Sequence, residues 1–420
     1  MTGREEPGPR GGMTENGSYV IYALIGFLFC VYLFFMHAPL LIDEHPHRAQ
    51  VHRLLAGTFT PNPSLTTIPG FHYILFALAK LTGWQTNAGL RFFSLLFGIG
   101  CVILVWRLTT SVYRLLLFVC LPIIFPFFFL VYTDIASLFF VLLSLYFIEA
   151  HKYTSAGFAA IAACSMRQNN VVWLMFLGLS SYIDKFNFTL DDKKKKWIGS
   201  NLWSFALGMI LFVLFLFWNH GNVSLGDSRS HPTGPLHMTN VWFMLFLFAL
   251  LFLPFALPKA LETARRVWKK PLFWVGVSGV YLFFLVSFTN THPYNVQWGD
   301  YFIRNAILIF ATQDLAHKTL FFIPISIALA ALISTKVDTP AQYLLYPMSV
   351  LFLIPSWLVD QRYYIIPFTL FLVSAHSFFS PDSIRTHIKI QNILNWVWIG
   401  LLITACVALV ILMEKGKVFL

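Results

Sequence analysis

The sequence predicts an all-α polytopic membrane protein, and three observations carry that reading. Hydrophobic residues make up 58% of the 420 and charged residues only 11%, where soluble domains hold roughly 25% charged residues. The mean hydropathy is +0.70. Apolar segments of about 15–22 residues recur along the chain with polar loops between them, the pattern of membrane-crossing helices. A soluble core has no room for the side chains of 45 phenylalanines, so lipid must cover much of the surface. The net charge of +11 does not mark a nucleic-acid partner, because the basic residues are spread over many loops and form no single patch.

Taken in order, residues 1–18 are rich in Gly, Pro and Glu and are expected to be a disordered cytosolic N-terminus. The run from Tyr19 to Met36 is followed by no small-x-small cleavage site, so it reads as an uncleaved first span. Further spans are expected near 88–106, 115–132, 135–150, 153–167, 170–183, 197–218, 241–257, 271–289, 318–334, 342–358, 363–379 and 393–413. That is about thirteen; two short segments, 135–150 and 153–167, widen the expectation to between eleven and fourteen or so. Residues 19–413 form one transmembrane domain and 414–420 a short tail. Cys30, Cys101, Cys120, Cys164 and Cys406 lie in or beside apolar stretches, at neither disulfide nor zinc spacing, and read as small hydrophobes.

Alternating the spans sorts the loops into two sides. One side collects 18 of the 29 Lys and Arg, including the Lys193–Lys196 run. The positive-inside rule puts that side, and the N-terminus, in the cytosol. The other side takes the long loop 37–87, loops near 219–240 and 290–317, and tight turns at 133–134, 167–169 and 359–362. Here the unusual polar residues gather: Asp43, Glu44, Asp134, Arg167, Asp227, His292, Asp300, Arg304, Asp360 and Arg362. Ionisable groups at membrane depth face a cavity or a partner. A scaffold has little reason to gather acids and arginines on one face, whereas an enzyme or a transporter does. A transporter would place them near the bilayer midplane; these lie at span ends, which favours an enzyme.

The long loop opens with Asp43-Glu44-His45-Pro46-His47 and runs through Gln50 to Gly57. Pro46 suits the first turn of a helix and Gly57 its end, with Val51, Leu54 and Leu55 forming an apolar face, so a short helix on the membrane surface is expected. Asp43 and Glu44 precede it, where the helix dipole favours an ionised carboxylate. Asp43 as a helix cap and Asp43 as a general base both remain open. His45, His47 and His52 match no strong metal-ligand template, and hydrogen bonding or phosphate contact suits them better. The stretch Thr60–Gly70, with three prolines and a Pro-Gly, is either a rigid connector or the hydroxyl-lined floor of a sugar pocket. Of three Asn-x-Ser/Thr sequons, Asn16 and Asn187 fall on the cytosolic side and Asn222 on the other, where it is a candidate for glycosylation.

Several stretches together resemble the endoplasmic-reticulum dolichyl-phosphate-glucose α-1,2-glucosyltransferases. They are "IDEHPHRAQ", "LTTIPGFHY", "LRFFSLLF", "YTDIASLFFVLL", "MRQNNVVW", "GDSRSH", "THPY" and "DQRYYIIPF", in that order and spread over nearly the whole chain. The sequence departs from the family pattern at Pro46, at Asn62 and in "NVQWGDYFIRN", so Asp300 and Arg304 take no role from the resemblance. The resemblance implies a GT-C-like bundle whose first lumenal loop carries short interfacial helices. It implies a multi-pass protein of the endoplasmic-reticulum membrane with its active site facing the lumen. The activity implied is addition of the last glucose to the lipid-linked oligosaccharide, with dolichyl-phosphate-glucose as donor and the diglucosylated dolichyl-diphosphate oligosaccharide as acceptor. A dolichyl-phosphate-mannose enzyme of the same superfamily, and a lipid or solute transporter, are the alternatives.

Moving a β-linked glucose into an α-linkage inverts the anomeric centre. Inversion by single displacement needs a carboxylate to take the acceptor proton, and positive charge or hydrogen bonds on the departing phosphate. Asp43 is the expected base, with Glu44 as the alternative or as its orienter. Arg362, with Arg167 and His292 behind it, is expected on the phosphate, because the guanidinium fork matches phosphate oxygens. Snorkelling of Arg362 beside Asp360, and a tie between spans at Arg167, are the structural alternatives. Substrate contacts are expected from His47, Gln50, Thr66, Thr67, Asp134, Gln168, Asp227, Tyr294 and Tyr363. Tyr364 and Trp298 are further stacking candidates, and Phe125–Leu130 a candidate wall for the dolichyl chain. No metal or other cofactor is expected.

Overall fold

A computed structural model describes residues 15–186, 189–226, 236–297, 302–379 and 388–418. Helix dominates it. The first span is α1 (Glu15–Phe35), and the long loop carries α2 (Glu44–Leu55) and α3 (Gly70–Thr82) before α4 (Asn87–Thr109). The sequence starts these helices with local polar caps: the Thr86 hydroxyl accepts a bond from the Gly89 amide at the head of α4. Gly57, at φ +82°, ends the turn after α2 in the left-handed region. The apolar face of α2 turns inward. Val51 and Leu54 are buried, and Val51 packs with Phe71, Leu75, Leu90 and Phe93, so the loop is docked on the bundle through its own small core.

The next segment corrects an expected span. Residues 115–132 do not form one helix: α5 (Val112–Val119) stops, and a single 3-10 turn follows at Phe125–Phe128. Pro122 and Pro126 explain the break, since each removes an amide donor. Phe125, Phe127, Phe128 and Phe129 are all buried in protein, which is where irregular backbone at membrane depth is tolerated. They therefore do not form a lipid-facing wall. α6 (Thr133–Glu149) and α7 (Tyr153–Met166) then pack as a tight helical hairpin, and α8 (Val171–Phe186) follows a 3-10 turn at Gln168–Asn170.

Beyond them lie α9 (Asp192–Asn201), α10 (Trp203–Trp218), α11 (Thr239–Leu251), α12 (Leu253–Val267), α13 (Pro271–Ser287), α14 (Ile303–Ala311) and α15 (Leu315–Ser334). The chain ends with α16 (Leu345–Leu353), α17 (Ile365–Ser374), α18 (His376–Phe379) and α19 (Ile388–Glu414). Among the described residues, four helices are long and apolar enough to cross a membrane, in α1, α4, α15 and α19. The number rises to six if the bent pairs α9–α10 (66°) and α11–α12 (104°) each count as one span. The expected eleven to fourteen is larger because several apolar segments are short or broken. The expected span 342–358, for example, holds a 3-10 turn at Pro340–Leu344 and only the short α16. The multi-pass, all-helical class stands. Most of the buried apolar residues form one continuous core from α1 to α19.

Candidate active site

The Thr60–Gly70 stretch is held by backbone fit. A side chain on Gly226, at φ +58°, would come within 2.3 Å of the Pro63 carbonyl and 2.4 Å of the Leu65 carbonyl. Gly70 abuts the Ser165 carbonyl at 2.4 Å in the same sense. Only glycine lets these strands of backbone meet. Gln168 adds three bonds: its amide donates to the Thr66 carbonyl (2.7 Å) and the Val223 carbonyl (2.9 Å), and its oxygen accepts from the Ile68 amide (3.1 Å). Gln50 accepts from the Asn62 amide at 2.6 Å. These two glutamines, read from sequence as substrate contacts, hold the loop instead. Thr66 and Thr67, which they position, line a cavity of about 720 Å³.

That cavity is where the turns meet. Asp43, Tyr132, Arg167, Tyr294, Arg304, Arg362 and Tyr363 all line it, and Met413 of α19 closes one side. Of the expected one-sided group of polar residues, Asp43, Arg167, Arg304 and Arg362 are thus brought together at one cavity from separate turns. Asp43 stands at the head of α2 but makes no side-chain capping bond; its carboxylate pairs with Arg362 Nη1 at 2.7 Å. The Asp43 amide donates to the Tyr132 hydroxyl (3.3 Å), and the Arg362 guanidinium lies over the Tyr132 ring (5.2 Å). Arg362 also donates to Asp360 through Nε (2.9 Å) and Nη2 (2.6 Å). Arg304 approaches the same Asp360 oxygen at 4.0 Å and stacks on Phe302 (4.2 Å). Arg167 pairs with buried Asp134 and lies over the Tyr363 ring (5.5 Å). Arg362 is therefore a member of a charge network, beyond a local snorkelling partner for Asp360.

Burial opposes the Asp360 charge, but Arg362 and then Arg304 outweigh it and hold the carboxyl well below the usual carboxylate range. Burial likewise works against the Arg362 cation, and Asp360, Asp43 and Asp134 keep it charged. His47 lines the cavity and stacks on His72, with Nδ1 to Nε2 at 2.8 Å. Burial, with the nearby Arg362 and Arg167, pushes the His47 imidazole down to about 3. His72 is also held well below its ordinary value, by burial and by His47. Both rings are neutral across the physiological range.

Glu44 is not at the cavity. It is fully buried against Arg91 of α4 (2.6 Å), and its two oxygens accept from the Leu41 and Val131 amides, each at 3.0 Å. Arg91 also donates to the carbonyls of Phe35 (3.1 Å), Ala38 (2.8 Å) and Pro39 (2.9 Å). One buried pair thus fixes the end of α1, the start of α2 and the turn before α6, and so the backbone on either side of Asp43. Arg91 had a sequence signal, a cation inside an apolar run, but one shared with other arginines. His292 is also displaced from its expected place: it is buried against Trp357 (4.8 Å between rings), and its Nδ1 accepts from the Tyr294 amide (3.1 Å). That bond braces the turn that presents Tyr294. Tyr364 is buried too, donating to Asn240 Oδ1 (2.9 Å). Asn240 in turn donates to the Ser356 and Leu358 carbonyls (each 2.8 Å), which sets the Arg362 turn. Asn295 bonds both ways with Val359 (2.8 and 3.0 Å) and ties the Tyr294 turn to it. The asparagines had no signal of their own in the sequence. Asp134 borders a crevice behind the main cavity. Asp227, Trp298 and Asp300 lie outside the described residues. Of the Phe125–Leu130 stretch, Phe127 and Leu130 reach the cavity. Among the described residues, no group of three His, Cys, Asp or Glu is placed to hold a metal ion.

The family described as DIE2/ALG10 matches this chain over residues 37–199 and 193–373. The chain is 24% identical to the Dol-P-Glc:Glc(2)Man(9)GlcNAc(2)-PP-Dol alpha-1,2-glucosyltransferase of Kluyveromyces lactis, over 83% of this chain and 76% of that protein. It is likewise 24% identical to a human protein of the same name, over 79% of this chain and 82% of the relative. An Arabidopsis thaliana protein, again of that name, is 23% identical over 84% and 88%. No solved structure matches.

Proposed function

The chain belongs to the DIE2/ALG10 family, and we propose that it carries out the reaction for which its relatives are named. It moves glucose from dolichyl-phosphate-glucose to the diglucosylated dolichyl-diphosphate oligosaccharide in α-1,2 linkage. The observation that carries the chemistry is the convergence of the Asp43 carboxylate with Arg362 and Arg167 on the walls of one cavity. Asp43 is the base that takes the proton from the acceptor 2-hydroxyl. As it does so, the acceptor oxygen bonds to the anomeric carbon from one face. The bond to the phosphate oxygen breaks on the other, and its electron pair leaves with dolichyl phosphate. Arg362 meets the growing negative charge on that phosphate, with Arg167 close behind. Thr66, Thr67, His47, Tyr294 and Tyr363 line the space for the sugars. Glu44, locked on Arg91, positions Asp43.

The arginines supply the positive charge that a nucleotide-sugar enzyme draws from a metal, so the reaction runs without one. The cavity faces the endoplasmic-reticulum lumen and the N-terminus the cytosol, on the charge asymmetry of the loops. The test is direct. Purified protein given dolichyl-phosphate-glucose and the diglucosylated lipid-linked oligosaccharide adds one hexose. No added hexose would overturn the reading, and transfer from dolichyl-phosphate-mannose instead would place the chain among the mannosyl enzymes.

A further inference from the structure

The Asp43–Arg362 contact is at odds with the geometry of inversion. The entering and leaving oxygens lie on opposite faces of the anomeric carbon. A base and the group opposite it therefore stand well apart, by about 6.5–9.5 Å in inverting hydrolases. Asp43 and Arg362 are instead hydrogen-bonded at 2.7 Å. That difficulty vanishes if the contact belongs to the ligand-free protein alone.

The two partners differ in how firmly they are held. Arg362 is gripped by Asp360 through Nε and Nη2, leaving Nη1 as the arm that reaches Asp43. Its side chain is 16% exposed, that of Asp43 40%. Asp43 is thus the partner free to swing. Arg304, which the resemblance leaves without a role, lines the same cavity and leans on the same Asp360. Its guanidinium has the planar fork that phosphate oxygens fit.

We propose that Arg362 and Arg304, held by their shared Asp360, form the donor-phosphate subsite, which the Asp43 carboxylate occupies in the ligand-free protein and vacates when the phosphate arrives. The proposal rests on the reading of Asp43 as base and Arg362 as phosphate ligand. Donor binding then does two things at once. It puts the phosphate where the carboxylate was, and it frees the Asp43 carboxylate to reach the acceptor hydroxyl only when there is a donor to attack.

The probe is dolichyl phosphate, which has no sugar for Asp43 to touch, titrated into the purified full-length protein in detergent. Asp43→Asn keeps the shape and removes the competing charge; it binds the probe about three- to tenfold more tightly than the wild type. Arg362→Gln and Arg304→Gln each weaken binding by about tenfold or more. If Arg304→Gln does not fold, Arg304→Lys keeps the charge but loses the fork and still binds several-fold more weakly. Unchanged or weaker binding by Asp43→Asn, with Arg362→Gln weakened, overturns the exchange and leaves the phosphate role of Arg362 standing. Undiminished binding by Arg362→Gln overturns both. Undiminished binding by folded Arg304 variants overturns the two-arginine subsite.

Discussion

At the residue scale, Asp43 and Glu44 are adjacent carboxylates with opposite fates. Helical geometry turns one toward the cavity and the other into the bundle, where Arg91 meets it. The sequence shows two acids before a proline and offers no means of telling them apart, because the distinguishing partner lies 47 residues away. Glu44→Gln strands a buried guanidinium and should lower stability by about 3–5 kcal/mol. Glu44→Gln combined with Arg91→Met should recover much of that loss in thermal unfolding, while transfer stays impaired because the Asp43 turn has lost its brace. The histidine pair makes a pH prediction. Burial, aided by Arg362 and Arg167, pushes the His47 imidazole from an ordinary 6.5 down to about 3. The unfolded chain therefore takes up protons between those values that the folded protein refuses. The stabilisation is complete above about 6.5 and is lost as pH falls toward 3. A His47→Phe variant should show a shallower fall in melting temperature across that window, and an equal fall would remove His47 as a cause.

At the element scale, periodicity and hydropathy locate nearly every apolar segment but not its integrity. The long helices α1, α4, α15 and α19 were legible as uninterrupted apolar runs. The 115–132 stretch was equally apolar and is broken, because its prolines sit where surrounding protein can satisfy the freed backbone groups. Hydropathy measures transfer into an apolar medium and does not distinguish lipid from a neighbouring helix. The Thr60–Gly70 stretch is held by Gly70, Gly226 and Gln168, with Thr66 and Thr67 on the cavity wall. Gly226→Ala meets two backbone carbonyls and an unfavourable φ together. It should destabilise the protein by about 1–3 kcal/mol and lower transfer by displacing Thr66 and Thr67. A variant with unchanged melting temperature and unchanged activity would contradict the role given to this contact.

At the scale of the whole molecule, the most informative sequence feature was the sorting of loops into two sides. It put Asp43, Asp134, Arg167, Arg304, Asp360 and Arg362 on one face, and they converge on one cavity or the crevice behind it. What the alternation could not show was the pairing within that face, nor that Gln50, Gln168 and His292 serve the frame, since side-chain direction at a turn is set by distant partners such as Asn240 and Asn295. A charge set supplied by arginines predicts that a chelator leaves transfer unchanged; loss of activity in EDTA, restored by a divalent cation, would contradict it. If Asp43 is the base of glucosyl transfer, folded Asp43→Asn at saturating donor and acceptor transfers glucose about a hundredfold or more slowly than the wild type, with a melting temperature close to it; a rate within a few-fold of wild type would remove Asp43 as the base.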